Sequence, residues 1–211
     1  PSHQPYRQPL LTTSHDAYST PLGLVPVDRE ALARLNELLK ESNGVELAAV
    51  RRDQEHSLEI ELPFLQVTQP NGFWLVPLMM VDQSASMARL LSAALLKLIQ
   101  SFPPKENALL LASSDLSHFY SERAANRLDG NLADALQEFD LNAFYQRKQH
   151  GEMEACGFAP MATVLQTSRL LGAEQVTVAD YRTSAAVTGD RSSVVGYLSA
   201  IISTGKADLY A

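Results

Sequence analysis

The chain has 211 residues, 45% of them hydrophobic and 19% charged, which is the composition of an ordinary globular protein with core enough to fold without disulfides or a structural metal. A formal net charge of −7, with no basic cluster denser than Arg51-Arg52, argues against nucleic acid or an anionic membrane as partner, because binding phosphates takes a concentrated basic footprint. The single Cys156 cannot close an internal disulfide, which suits the cytoplasm, and every apolar stretch breaks off well short of the ~20 residues a bilayer span needs.

Residues 1–26 are rich in Pro, Ser, Thr and His and read as loop with short extended pieces. Asp28 then caps a helix whose stripe is Leu32, Leu35, Leu38 and Leu39, stopped by Asn43-Gly44. Val45 to Val50 is a strand candidate. A second helix is expected from near Asp53, with Leu58, Leu62 and Leu65 on one face and Pro63 as a kink or restart. Phe73 to Val81 reads as a buried strand, at an edge or bulged because of Pro77. Ser84 or Ser86 caps a long helix to about Gln100, with Leu90, Leu91, Leu95, Leu96 and Ile99 inward. The apolar run Ala108 to Ala112 reads as a buried strand, followed by helices over 121–138 and 141–149. Cys156 opens a further helix through Leu171, closed by Gly172, and strands at Gln175–Tyr181 and Ser193–Ile201 finish the chain. Alternating strands and helices give an α/β class, a single mainly parallel or mixed sheet between helical layers, in one domain over 1–211.

The densest chemistry lies in Ser113-Ser114-Asp115-Leu116-Ser117-His118. A strand ending in this string would present hydroxyls, a carboxylate and an imidazole at its carboxyl end, where open α/β sheets bind ligands. Asp115 could orient His118 as a general base or a metal ligand; the bland reading is a helix cap beside a surface histidine. Cys156-Gly157 with Pro160 in a first helical turn puts the sulfur near backbone N–H groups that favour a nucleophile or a metal ligand, against the commoner fate of an inert buried thiol. Glu55-His56, with Glu59 one turn on, is by itself a charged first turn serving a helix dipole. His3 reads as a frayed terminus and His15 and His150 as solvated. Ser, His and Asp occur together, but adjacent positions rarely give triad geometry and there is no Gly-x-Ser-x-Gly elbow. Neither a P-loop nor a Gly-x-Gly-x-x-Gly string occurs.

Taken in order, Pro1-Ser2-His3, Tyr18-Ser19-Thr20-Pro21-Leu22-Gly23, the string Glu55-His56-Ser57-Leu58-Glu59-Ile60-Glu61-Leu62-Pro63-Phe64-Leu65-Gln66, the Ser113–His118 segment, Cys156-Gly157 with Pro160, Tyr181-Arg182-Thr183-Ser184 and Ser193-Val194-Val195-Gly196-Tyr197 resemble the Memo family over essentially the whole chain. Its microbial members are known as AmmeMemoRadiSam system protein B. The resemblance implies a fold like that of class III extradiol dioxygenases with a non-haem metal in the crevice. It implies His3 and Cys156 as metal ligands, His118 as the acid–base group with Asp115 beside it, and Glu55, His56, Ser114, Tyr181 and Ser184 as pocket wall and outer supports. A cysteine where the dioxygenases have a carboxylate shifts preference among non-haem iron, copper and zinc toward the softer choices and weakens any expectation of ring cleavage.

Family members also carry an N-terminal segment with a Pro-His-Ala-Gly-Tyr-type motif, so the domain is expected to be N-terminally incomplete here. The function expected is that of a metal-dependent redox enzyme, dioxygenase-like, of unassigned substrate. The rivals are a non-catalytic binding or adaptor protein that takes a peptide or small ligand in the same crevice, and a metal-independent Cys–His hydrolase. Association with radical-SAM and Amme-type proteins is the partner expectation that comes with the family.

Overall fold

The computed structural model describes residues 6–52, 55–104 and 106–205. Two compact units divide the chain, 1–113 and 114–211.

The first unit is built on β1 (Leu10–Thr13), β2 (Ala17–Thr20), β3 (Gly23–Pro26), α1 (Arg29–Asn43), β4 (Ala48–Val50), α2 (Leu62–Thr68), β5 (Met79–Met80) and α3 (Ala85–Gln100). β1 pairs in parallel with β4, Leu11 opposite Ala48, and antiparallel with β5, Leu10 opposite Met80. β2 and β3 form a separate hairpin. Both long helices start where the caps predict. Asp28 accepts the N–H of Ala31 at 2.8 Å, Ser84 that of Met87 at 3.2 Å, and Gly44 closes α1 at φ 67°. α1 packs on α3, burying Leu32, Leu35, Leu38 and Leu39 against Met87, Leu91, Leu95 and Leu98.

Three expectations fail in this unit. The second helix begins at Leu62, not near Asp53; residues 57–61 are turn, and Pro63 fits the first helical turn, where its missing N–H costs nothing. Asp53 itself lies outside the described residues. The stretch 73–81 shrinks to the two-residue β5 plus a parallel bridge from Leu75 to Val27, and Trp74 is 70% exposed. Pro77 cannot donate to a ladder, and its carbonyl accepts from Thr12 Oγ1 at 2.8 Å instead. Residues 108–112 form no strand, and Leu109 is 71% exposed. An apolar run becomes a strand only when a neighbour takes up its N–H and C=O groups, and among the described residues none does.

The second unit holds β6 (His118–Tyr120), α4 (Glu122–Glu138), α5 (Leu141–Gln149), α6 (Phe158–Leu170), β7 (Gln175–Thr183), the one-turn α7 (Ala185–Thr188) and β8 (Val194–Ser203). The sheet order is β6-β8-β7, all antiparallel. α4 lies against all three strands, and α5 packs between α4 and α6 with Phe144 edge-on to Phe158 at 5.6 Å. The α/β class and its mixture of parallel and antiparallel pairing are therefore present, with the strands gathered in three short sheets.

Candidate functional site

The Ser114–His118 turn leads into β6 at the edge of the second unit's sheet. β6 is bulged against β8: His118 faces Val195 and Tyr120 faces Val194, leaving Phe119 unpaired at φ 64°. A bulge of this kind bends the strand and re-aims its side chains, and a phenylalanine in the left-handed region is strained. His118 is thereby presented toward Asp115, whose Oδ2 lies 3.3 Å from its Nε2. The imidazole is about three-quarters buried and the carboxylate about half.

Cys156 reaches the same turn from the start of α6. It precedes Gly157, the residue that caps the helix, and Pro160 sits in the first turn as expected. Its sulfur accepts the N–H of Asp115 at 3.3 Å and lies 3.5 Å from Ser114 Oγ. Ser114 Oγ accepts the N–H of Gly157 at 2.8 Å and donates to the carbonyl of Asp115 at 2.7 Å. Asp115 is thus the hub, with backbone and sulfur contacts to Cys156 and its carboxylate on His118. Tyr197, on β8, feels the same carboxylate; burial first and then the charge of Asp115 hold its phenol above the usual tyrosine range.

Tyr181 and Ser184 are hydrogen-bonded within the second unit. Ser184 Oγ accepts the N–H of Val195 at 3.1 Å and fixes the entry to β8. Tyr181 OH donates to Asp129 Oδ2 at 2.7 Å; burial, then this bond and the negative charge of Asp129, keep the phenol protonated far beyond its ordinary range. Asp129 itself escaped the sequence reading. It is fully buried, and its Oδ1 accepts the N–H of Ser117 at 3.0 Å. The signal that could have found it is spacing: Ala125, Asp129, Leu132 and Leu136 run along the buried face of α4, a carboxylate in an apolar stripe.

Glu55 and His56 belong to the first unit. His56 is exposed and pairs through Nδ1 with Glu59 Oε1 at 2.6 Å, while Glu55 accepts the N–H of Ser57 at 3.2 Å. Glu55 lines a hollow of about 40 Å³ with Thr12, Thr13 and Tyr18 at the carboxyl end of β1. That volume suits water rather than an organic ligand. His3 lies outside the described residues.

The sequence model of Memo-like proteins matches residues 1–201 of this chain. The chain belongs to the Memo family. Among its relatives are MEMO1 family proteins of Nitrosopumilus maritimus, 34% identical over 197 residues (93% of this chain, 69% of that one), and of Thermotoga maritima, 33% identical over 202 residues (96% and 69%). A MEMO1 family protein of Methanococcoides burtonii is 33% identical over 202 residues, 96% of this chain and 73% of its own. No helix among the described residues of this Memo-family chain is long and apolar enough to cross a membrane.

The metal that the resemblance implies can be tested against the donors on hand. Among the described residues, no three His, Cys, Asp or Glu side chains converge to hold an ion. Cys156 offers one soft donor, and the Asp115 carboxylate is engaged by His118. These residues alone do not fit a metal centre.

Proposed function

We propose that the Asp115-His118-Cys156 cluster is the reactive centre of a Memo-family enzyme acting on a small-molecule ligand. His118 moves the proton, Asp115 orients the imidazole and stabilises it when charged, and Cys156 places a polarisable sulfur beside them. The observation that supports this reading is the double engagement of Asp115, which ties imidazole and sulfur to one residue. Proton transfer needs a base held in one orientation, and a carboxylate on one ring nitrogen leaves the other for the ligand.

The hydrolase alternative is less well supported. Among the described residues the sulfur's partners are Ser114 and Asp115, and the imidazole's polar partner is Asp115, so the sulfur–imidazole bond of an activated thiol is not formed.

Cys156 is the chain's single thiol, so its alkylation by iodoacetamide can be followed without ambiguity. Replacing Asp115 by Asn removes a negative charge beside the sulfur and is expected to speed that reaction a few-fold, whereas His118→Ala leaves that charge without its partner and is expected to slow it a few-fold. Unchanged rates in both variants would overturn the shared pocket. Titration of the full chain with zinc, copper(II) and iron(II), beside Cys156→Ser, tests the metal role separately: equal retention in both removes Cys156 as a donor.

A further inference from the structure

We infer that Asp129, which belongs to no motif, is the positioning residue of the reactive turn: its buried carboxylate, backed onto Gly196, fixes the Leu116-Ser117 backbone and through it the placement of Asp115 and His118. The inference rests on the pocket reading above.

A carboxylate with no solvent exposure is costly to bury, and a leucine would fill the same place in the apolar stripe of α4 without that cost. What the carboxylate supplies is two acceptors at fixed points. Oδ1 takes the N–H of Ser117 at 3.0 Å, and Oδ2 takes the hydroxyl of Tyr181 at 2.7 Å, which also lies 3.0 Å from Asn126 Oδ1. Gly196 of β8 holds the same segment from the other side. Its carbonyl accepts the N–H of Leu116 and its N–H donates to the carbonyl of Ser117, both at 3.0 Å. A Cβ on Gly196 would stand 1.9 Å from Asp129 Oδ2, so only glycine lets the strand backbone lie against the carboxylate. Two elements, α4 and β8, therefore bond the backbone of residues 116 and 117, whose flanking residues are Asp115 and His118, while Tyr181 of β7 holds the Asp129 carboxylate in place.

Two variants separate positioning from packing. Asp129→Leu keeps the branching of the side chain, with bulkier methyl groups, and removes both acceptors. Asp129→Asn keeps an oxygen for Ser117, and the Tyr181 hydroxyl can turn to Asn126 and accept from the new amide. The readouts are the His118 ring resonances by NMR, assigned with His118→Ala, and the iodoacetamide rate of Cys156. Both are taken where circular dichroism shows each variant folded. The expected result is a wild-type His118 signal in Asp129→Asn, a displaced signal in Asp129→Leu, and an alkylation rate about fivefold higher in Asp129→Leu as the turn loosens. Wild-type resonances and rate in Asp129→Leu would overturn the inference, as would equal displacement in both variants. Should Asp129→Leu not fold, Tyr181→Phe removes the donor on Oδ2 alone; a smaller displacement of the same signal is expected, and none would count against Asp129. The pocket reading fails by a different result, unchanged alkylation rates in both His118→Ala and Asp115→Asn, whereas the ring signal reports on Asp129 regardless.

Discussion

Asp115 and Cys156 hold each other three times: the N–H of Cys156 donates to the carbonyl of Asp115 at 3.2 Å, the N–H of Asp115 donates to the sulfur of Cys156 at 3.3 Å, and the thiol lies 3.7 Å from that carbonyl as a weak donor. The sulfur is thus part of the turn's hydrogen bonding as well as a reactive group. Cys156→Ala leaves the Asp115 N–H without its acceptor in a half-buried place and is expected to cost about 1 kcal/mol. Cys156→Ser restores an acceptor on a shorter bond and is expected to recover part of the loss. Urea denaturation midpoints at constant slope measure both, and an alanine variant as stable as wild type would contradict the structural share of the sulfur.

Ser114 and Ser117 are the same residue type in one turn, yet their substitution is expected to act with opposite sign. Ser114 Oγ accepts the N–H of Gly157, the residue that caps α6, at 2.8 Å and also donates to the carbonyl of Asp115. Ser114→Ala therefore removes a helix-capping acceptor and is expected to destabilise by about 1 kcal/mol. Ser117 Oγ is fully buried and has no partner among the described residues. Ser117→Ala removes a desolvated hydroxyl and is expected to be neutral or stabilising by up to about 1 kcal/mol. Paired thermal melts of the two variants decide; a large loss in Ser117→Ala would mean the hydroxyl is satisfied in solution.

What could be read from the sequence, and what could not, divides by range. Asp28, Ser84 and Gly44 act on their own helices within a turn, so α1 is legible from caps and leucine spacing and α3 from its cap, while the buried face of α3 runs through Met87, Leu91, Leu95 and Leu98 and leaves Leu90, Leu96 and Ile99 only half-buried. Cys156 ahead of α6 and the Asp115–His118 pair were legible for the same reason, both being local patterns. The runs 73–81 and 108–112 are apolar enough to suggest strands, but strand formation depends on a distant pairing partner that local sequence does not reveal. Asp129 was missed because its meaning lies in Ser117, Tyr181 and Gly196, 12 to 67 residues away. Only its place within the stripe of Ala125, Leu132 and Leu136 marked it, as a charge where the period calls for an apolar side chain.

Gly196 looks dispensable in a strand, where glycine generally weakens pairing. Here the buried Asp129 carboxylate occupies the space a side chain would need, with Oδ2 at 1.9 Å and Cγ at 2.7 Å from a Cβ at that position. The carboxylate cannot step aside without breaking its bonds to Ser117 and Tyr181. Gly196→Ala is therefore expected to cost about 3 kcal/mol, the upper range for overpacking. Chemical denaturation should show a lower midpoint with an unchanged slope. A wild-type midpoint would mean that β8 does not lie against Asp129.

Asp140 gives the second unit a pH dependence that can be isolated. It caps α5, accepting the N–H of Asn142 at 2.8 Å and of Ala143 at 2.9 Å through Oδ1. The bond from Ala143 is the largest influence; together with that from Asn142 and the nearby charge of Arg169 it outweighs the opposing effect of burial and holds the carboxyl below the ordinary carboxylate range. A group depressed in the folded state stabilises fully above its unfolded value, near pH ~4, and loses that contribution as pH falls through the lower folded value. Asp140→Asn keeps a capping oxygen without the charge, so the difference between wild type and variant reports the carboxylate alone. Wild type is expected to be the more stable at neutral pH, with the gap closing below about pH 4 and salt narrowing it, since the group is exposed. Denaturation midpoints across that range measure the gap. A difference that stays constant from neutral to strongly acidic pH would show that the cap works through hydrogen bonding without any help from charge.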